Sequence, residues 1–122
     1  MAIKLPIKHR RETEVVLSEI LLERIYQNRK WGEQNWPILD PKRLDHPGER
    51  MCEFFRIPKE KTIKQIVEMK ARDGNLTYME ILIEEVSEAA SCGKDVESLR
   101  KELIQVAAVA VAMIETIDRN GK

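Results

Sequence analysis

The stretch Met79-Glu80-Ile81-Leu82-Ile83-Glu84-Glu85-Val86-Ser87-Glu88-Ala89-Ala90-Ser91-Cys92 decides how the chain is read. It has the composition of an α-helix, and its apolar stripe is interrupted. Ile81, Glu85, Glu88 and Cys92 follow one another at i, i+4, i+7 and i+11, which stacks them on one side of a 3.6-residue helix. Tyr78, Leu82 and Ala89 flank the same stripe. Two carboxylates therefore stand in the face that should be buried. An ionised carboxylate buried alone costs several kcal/mol, so each must be paired, neutralised or bound to a metal.

The rest of the chain sets bounds on that conflict. With 122 residues, 43% hydrophobic and 34% charged, it is expected to be a single all-α domain spanning 1–122. The formal net charge is zero, which gives no bulk attraction to nucleic acid or an anionic membrane. Cys52 and Cys92 form neither a disulfide framework nor a zinc pattern and read as free thiols of a reducing cytoplasm. The start of the chain has no apolar core of signal-peptide length. The longest apolar run, Val106 to Ile114, falls short of the ~20 residues that span a bilayer.

Taken in order, residues 1–11 read as an N-terminal arm broken by Pro6, and the first helix is expected from about Arg11–Thr13 to Lys30. Its residues Val15, Val16, Leu17, Ile20, Leu21, Leu22 and Ile25 are too many for one narrow stripe, which predicts burial on several sides. Gly32 and Pro37 stop it. A long loop over 31–58 follows, with room for a short helix from Gly48 to Phe55 that buries Met51, Phe54 and Phe55. Lys59 to Arg72 reads as the second main helix, with Ile63, Ile66, Val67 and Met69 inward. Asp73-Gly74-Asn75 closes it. Thr77-x-x-Glu80 is a capping-box pattern that opens the third helix, which Gly93 should end. Asp95 is the candidate N-cap of a fourth helix reaching about Asp118. From Leu103 to Ile117 that helix is nearly all apolar, which predicts a place at the centre of a bundle of about four main helices, completed by oligomerisation.

Glu102 and Gln105, three apart on the fourth helix, share a side. If the third and fourth helices run antiparallel across the Gly93–Lys94 turn, Glu85 and Glu88 fall at heights comparable with Glu102 and Gln105 at ~1.5 Å per residue. Three carboxylates and an amide would then converge. Oxygen-only ligands suit Mg²⁺ or Mn²⁺. The alternative is a solvated acidic face, with Lys94, Arg100 and Lys101 as ion partners. A di-iron carboxylate site needs Glu-x-x-His on helices, and neither His9 nor His46 fits.

On these residues the sequence resembles the MazG-like, all-α nucleoside triphosphate pyrophosphohydrolases. That family carries Glu-x-x-Glu on one helix and Glu-x-x-Asp on the next. Glu85-Val86-Ser87-Glu88 matches the first half. Glu102-Leu103-Ile104-Gln105 matches the second except at its last position. The segment from Glu23 to Pro37, E-R-I-Y-Q-N-R-K-W-G-E-Q-N-W-P, is similar to phage- and mobile-element-type members. The likeness covers roughly Ile20 to Arg119. It implies Mg²⁺-dependent hydrolysis of a nucleoside triphosphate to the monophosphate and pyrophosphate, a house-cleaning of the nucleotide pool, by a homo-dimer or tetramer. Glu85, Glu88 and Glu102 would hold the metal, with Gln105 as a neutral fourth ligand and Glu84 orienting a ligand or water. Arg24, Arg29 and Lys30 would contact phosphates, and Trp31 and Trp36 would stack on the base. The departure at Gln105 keeps two other readings open: a nucleotide-binding or regulatory protein with impaired catalysis, and a structural helical interaction module.

Overall fold

The computed structural model describes residues 7–44 and 48–120, without the side chain of Arg43. The described residues are helical with no strand: α1 (Ile7–Trp31), a 3₁₀ turn (Pro41–Arg43), α2 (Glu49–Phe55), α3 (Glu60–Asp73), α4 (Tyr78–Ala90) and α5 (Val96–Asn120). They form two compact units. One comprises the chain up to Trp36 and from Val111 onward, and the other comprises Pro37–Ala110. The helix α5 contributes to both.

The Pro37–Ala110 unit is built on α4, which packs chiefly on α3 and more lightly on α2. Its start follows from sequence. The Thr77 N–H donates to Glu80 Oε1 at 3.1 Å and the Glu80 backbone N–H donates to the Thr77 side chain, forming the capping box; the Thr77 hydroxyl also donates to the Glu80 carboxylate. These bonds and Lys70, 3.2 Å away, hold the Glu80 carboxyl near 2, well below the usual range. The Lys70–Glu80 contact also ties α3 to α4 beside their connection. Gly74, at φ 76°, ends α3 in the left-handed region that glycine adopts without strain.

The other end of α4 differs from expectation. The helix stops at Ala90, before Gly93. Ser91 N–H donates to the carbonyls of both Ser87 and Glu88, and Cys92 N–H donates to Ala89 O, so the last turn tightens early. Gly93 then takes φ 60° within the turn that leads to α5. Asp95 caps α5 by accepting from Ser98 N at 3.1 Å and Ser98 Oγ at 2.7 Å.

The helix α2 is clamped onto this hairpin. Met51 and Cys52 are fully buried and pack with Ala90, Leu39, Leu44 and Ile57. Phe54 and Phe55, expected inside, are 38% and 44% exposed; their rings contact each other instead, with centroids 5.1 Å apart. A seven-residue helix buries only one stripe, and the Met51–Cys52 edge occupies it. Ser87, also fully buried, donates to Pro58 O at 2.9 Å. Its own carbonyl accepts from Cys52 Sγ and Ser91 Oγ. On α3, Ile63 is buried as expected, whereas Met69 is 48% exposed.

In the unit that holds α1, the helix starts at Ile7, four residues before Arg11, so that part of the expected arm is helical; residues 1–6 lie outside those described. Thr13 Oγ1 donates to Glu115 Oε2 at 2.7 Å, and Arg119 pairs with Glu12 at 2.9 Å, joining α1 to the end of α5. Burial of α1 on several sides is not found within one chain. Val16 is 1% exposed, but Val15, Leu17, Leu21 and Leu22 are each more than half exposed.

Met51→Ala should lower unfolding free energy by about 2–5 kcal/mol, because the side chain is fully buried and its removal leaves a cavity. Phe55→Ala should cost clearly less. Urea unfolding of the two variants gives the order, and an equal cost would contradict this account of α2.

Candidate metal centre

Three acidic side chains meet across the space between α4 and α5. Carboxylate oxygens of Glu85, Glu88 and Glu102 all lie within 4.8 Å of one another, and all three residues are half-buried. Glu85 and Glu88 sit one turn apart on α4, and Glu102 faces them from the second turn of α5. Backbone approach between α4 and α5 is sparse beside that between α3 and α4. The long glutamates reach across the gap.

This arrangement carries an electrostatic penalty. Three like charges at this separation repel by roughly 3 kcal/mol per pair at an effective dielectric of about 20, less as water reaches them. The pKa values respond accordingly. Desolvation, the Glu102 carboxyl as hydrogen-bond partner and the charge of Glu85 push Glu88 up to about 7. Desolvation, then Glu102 and Glu84, raise Glu85. Lys64 on α3 opposes both shifts weakly; its Nζ lies 3.8 Å from Glu88 Oε1 and 3.0 Å from Glu60 Oε1.

Two oxygens remain without a donor. Glu85 Oε2 and Glu102 Oε2 are shut off from solvent and accept no hydrogen bond among the described residues. Buried acceptors left this way each cost about 1–3 kcal/mol, more when charged. A divalent cation would satisfy both and offset the mutual repulsion, so the residues present fit the ion that the resemblance implies. The donor set is carboxylate oxygen, which matches Mg²⁺ or Mn²⁺. Cys92, beside the group, does not add a soft ligand. Its thiol donates to Glu88 O at 3.3 Å, and burial pushes its pKa up. The cluster opens to a cavity of about 430 Å³ lined by Glu60, Lys64, Glu88, Ser91, Cys92, Asp95, Ser98 and Glu102.

The other expected site residues fall elsewhere. Glu84 is half-buried beside Glu85, outside the three-carboxylate group, and its charge bears on Glu85. Gln105 is exposed, three residues past Glu102 on α5. Arg24, Lys30, Trp31 and Trp36 belong to the other unit. There Arg24 donates to Gln27 Oε1 and Asn28 Oδ1, and Lys30 sits 4.8 Å above the Trp31 ring. Trp31 and Trp36 are 54% and 75% exposed, so neither is a packing anchor within the chain. Lys64 was missed in sequence; the only available signal was its place on an α3 face four residues after Glu60.

No protein-family model, curated protein or solved structure matches the chain. The site is therefore read from its own chemistry. Among the described residues, no helix is long and apolar enough to cross a membrane.

Because the folded-state pKa of Glu88 lies above the 4.5 of a free carboxyl, the folded state holds this proton more tightly than the unfolded chain. Stability is then lost as pH rises from about 4.5 through 7, and Glu85 adds in the same direction. The metal-free protein should melt several degrees higher at about pH 5.5 than at about pH 8. Saturating Mg²⁺ or the Glu88→Gln substitution should flatten that difference, read by calorimetric melting.

Proposed function

We propose that the chain is a Mg²⁺-dependent nucleoside triphosphate pyrophosphohydrolase. Water attacks the α-phosphorus, the bond from that phosphorus to the bridging α,β oxygen breaks, and the products are a nucleoside monophosphate, pyrophosphate and a proton. The observation that carries this reading is the pair of orphaned, buried oxygens on Glu85 and Glu102 within a half-buried three-carboxylate group. The order of those carboxylates along α4 and α5 resembles the MazG-like pattern, which supplies the reaction class.

Glu85, Glu88 and Glu102 would hold the cation. When bound, it supplies charge neutralisation for phosphate oxygens and activation of water. The cation would favour ionisation of Glu88, whose carboxyl is pushed up to about 7 without it, and so would hold the ligand set together. Glu84, beside Glu85, would orient the water or a ligand on the resemblance. Gln105 would offer a neutral amide oxygen to the same ion. Phosphate contacts by Arg24 and Lys30, and base stacking by Trp31 and Trp36, rest on the resemblance; the Trp36 indole is 75% exposed, whereas one face of Trp31 carries the Lys30 ammonium.

A homo-dimer or tetramer belongs to the same reading. Val15, Leu17, Leu21 and Leu22 on α1 each expose more than half their surface. A monomer seldom leaves such a set bare, and a second copy would cover it as the sequence pattern of α1 anticipates.

With Mg²⁺ and a panel of (d)NTPs, pyrophosphate release should be measurable and should fall by on the order of a hundredfold in Glu85→Gln and Glu102→Gln, the scale of losing one charge-stabilising group. Turnover absent while nucleotide still binds would sink the enzymatic reading. Gln105→Asp should tighten Mg²⁺ by calorimetry; unchanged affinity removes Gln105 from the ligand set. Sedimentation should show an oligomer that Leu21→Glu combined with Leu22→Glu converts to monomer.

A further inference from the structure

We infer that Lys64, with Lys61 one turn before it, is the cationic wall that receives the substrate's polyphosphate, so that the phosphate chain runs along α3. The inference rests on the cation-site reading above and says where the anion lies relative to that site. The cavity next to the carboxylates adjoins a second one of about 420 Å³, which Gly48, Glu49, Lys61, Gln65 and Glu68 line. Glu60, Lys64 and Ser91 line both cavities, so the two form one trough over the α3–α4 hairpin. Each falls toward the lower part of the ~300–1,000 Å³ range of small-molecule sites, and joined they take a longer ligand.

The charge distribution of the trough restricts what can enter. Its acidic side chains are Glu49, Glu60, Glu68, Glu88, Asp95 and Glu102, and its cations are Lys61 and Lys64. A polyphosphate would be repelled by such a lining except as a divalent-cation complex that the lysines meet from the side. Lys64 is placed for this. Glu60, 3.0 Å from its Nζ, holds the ammonium at the cavity wall, whereas the 3.8 Å contact with Glu88 is the looser one. A cation that takes up Glu88 releases that contact and leaves ammonium N–H donors facing the trough. A lysine has three such donors and no acceptor, which suits phosphate oxygen. Lys61, exposed at i−3, extends the wall away from the carboxylates, in the direction a leaving pyrophosphate would lie.

The test measures Mg²⁺ binding by calorimetry, then binding of inorganic pyrophosphate to the Mg²⁺-loaded protein, then KM and kcat for a hydrolysed nucleotide. Lys64 is half-exposed on a helix surface, so Lys64→Met should fold as wild type does. It should keep or slightly tighten Mg²⁺ binding while weakening pyrophosphate about tenfold or more and raising KM alike. Lys64→Arg should restore most of the loss, and Lys61→Met should lose less than Lys64→Met. If Lys64→Met holds pyrophosphate as tightly as wild type with Mg²⁺ binding intact, the α3 wall is wrong and the cation site stands. If wild type takes up no Mg²⁺, the cation site is wrong and the α3 wall falls with it.

Discussion

Repulsion among Glu85, Glu88 and Glu102 is the constraint on which the rest of the site depends. Three carboxylates within 4.8 Å oppose folding unless something compensates. Without a cation the protein compensates by holding a proton on Glu88 up to about pH 7. Lys64 contributes little, because it is half-exposed and its stronger partner is Glu60. The two donorless oxygens have no protein partner among the described residues. A purely structural role gives no reason to keep such a group in the apolar stripe of α4, since apolar side chains of similar volume would be more stable there.

Holding those carboxylates in place is the work of the elements behind α4. Ser87, on the opposite side of the helix from the gap, bonds Pro58 and receives Cys52 and Ser91, fixing α2, the start of α3 and the end of α4 to one another. Lys59 adds ion pairs to Glu53 and Glu49 across the same joint. With α4 tied on that side, Glu85 and Glu88 present toward α5. The small residues Ala89 and Ala90, both buried, let this packing come close. The early end of α4 at Ala90 also brings Ser91 and Cys92 to the cavity wall.

The helix α1 presents a different situation. Its apolar residues outnumber what one chain covers, and Val16 alone among them is buried. Its links to the end of α5 are polar, through Glu12, Thr13, Glu115 and Arg119. On the proposed reading a second copy would cover these leucines, which the contacts of α1 with its own chain leave exposed.

Much of this was legible in the linear chain because it depends on neighbours only a few residues apart. The capping box at Thr77, the glycine stop at Gly74, the Asp95 cap and the placement of Glu85 and Glu88 in an apolar stripe follow from helical periodicity and local hydrogen bonds. The depth of Phe54 and Phe55, the early end of α4 and the exposure of α1 did not follow, because each depends on which surface another element covers. The same holds for Lys64. Sequence places it on α3, but only packing of α3 against α4 brings its ammonium beside Glu88, since a contact between residues 24 positions apart has no local signal. The acidic stripe was therefore determined by sequence. Its closure into one three-carboxylate group, and the Lys64 ammonium beside it, were decided by tertiary structure, which sets the distances on which electrostatic energy depends.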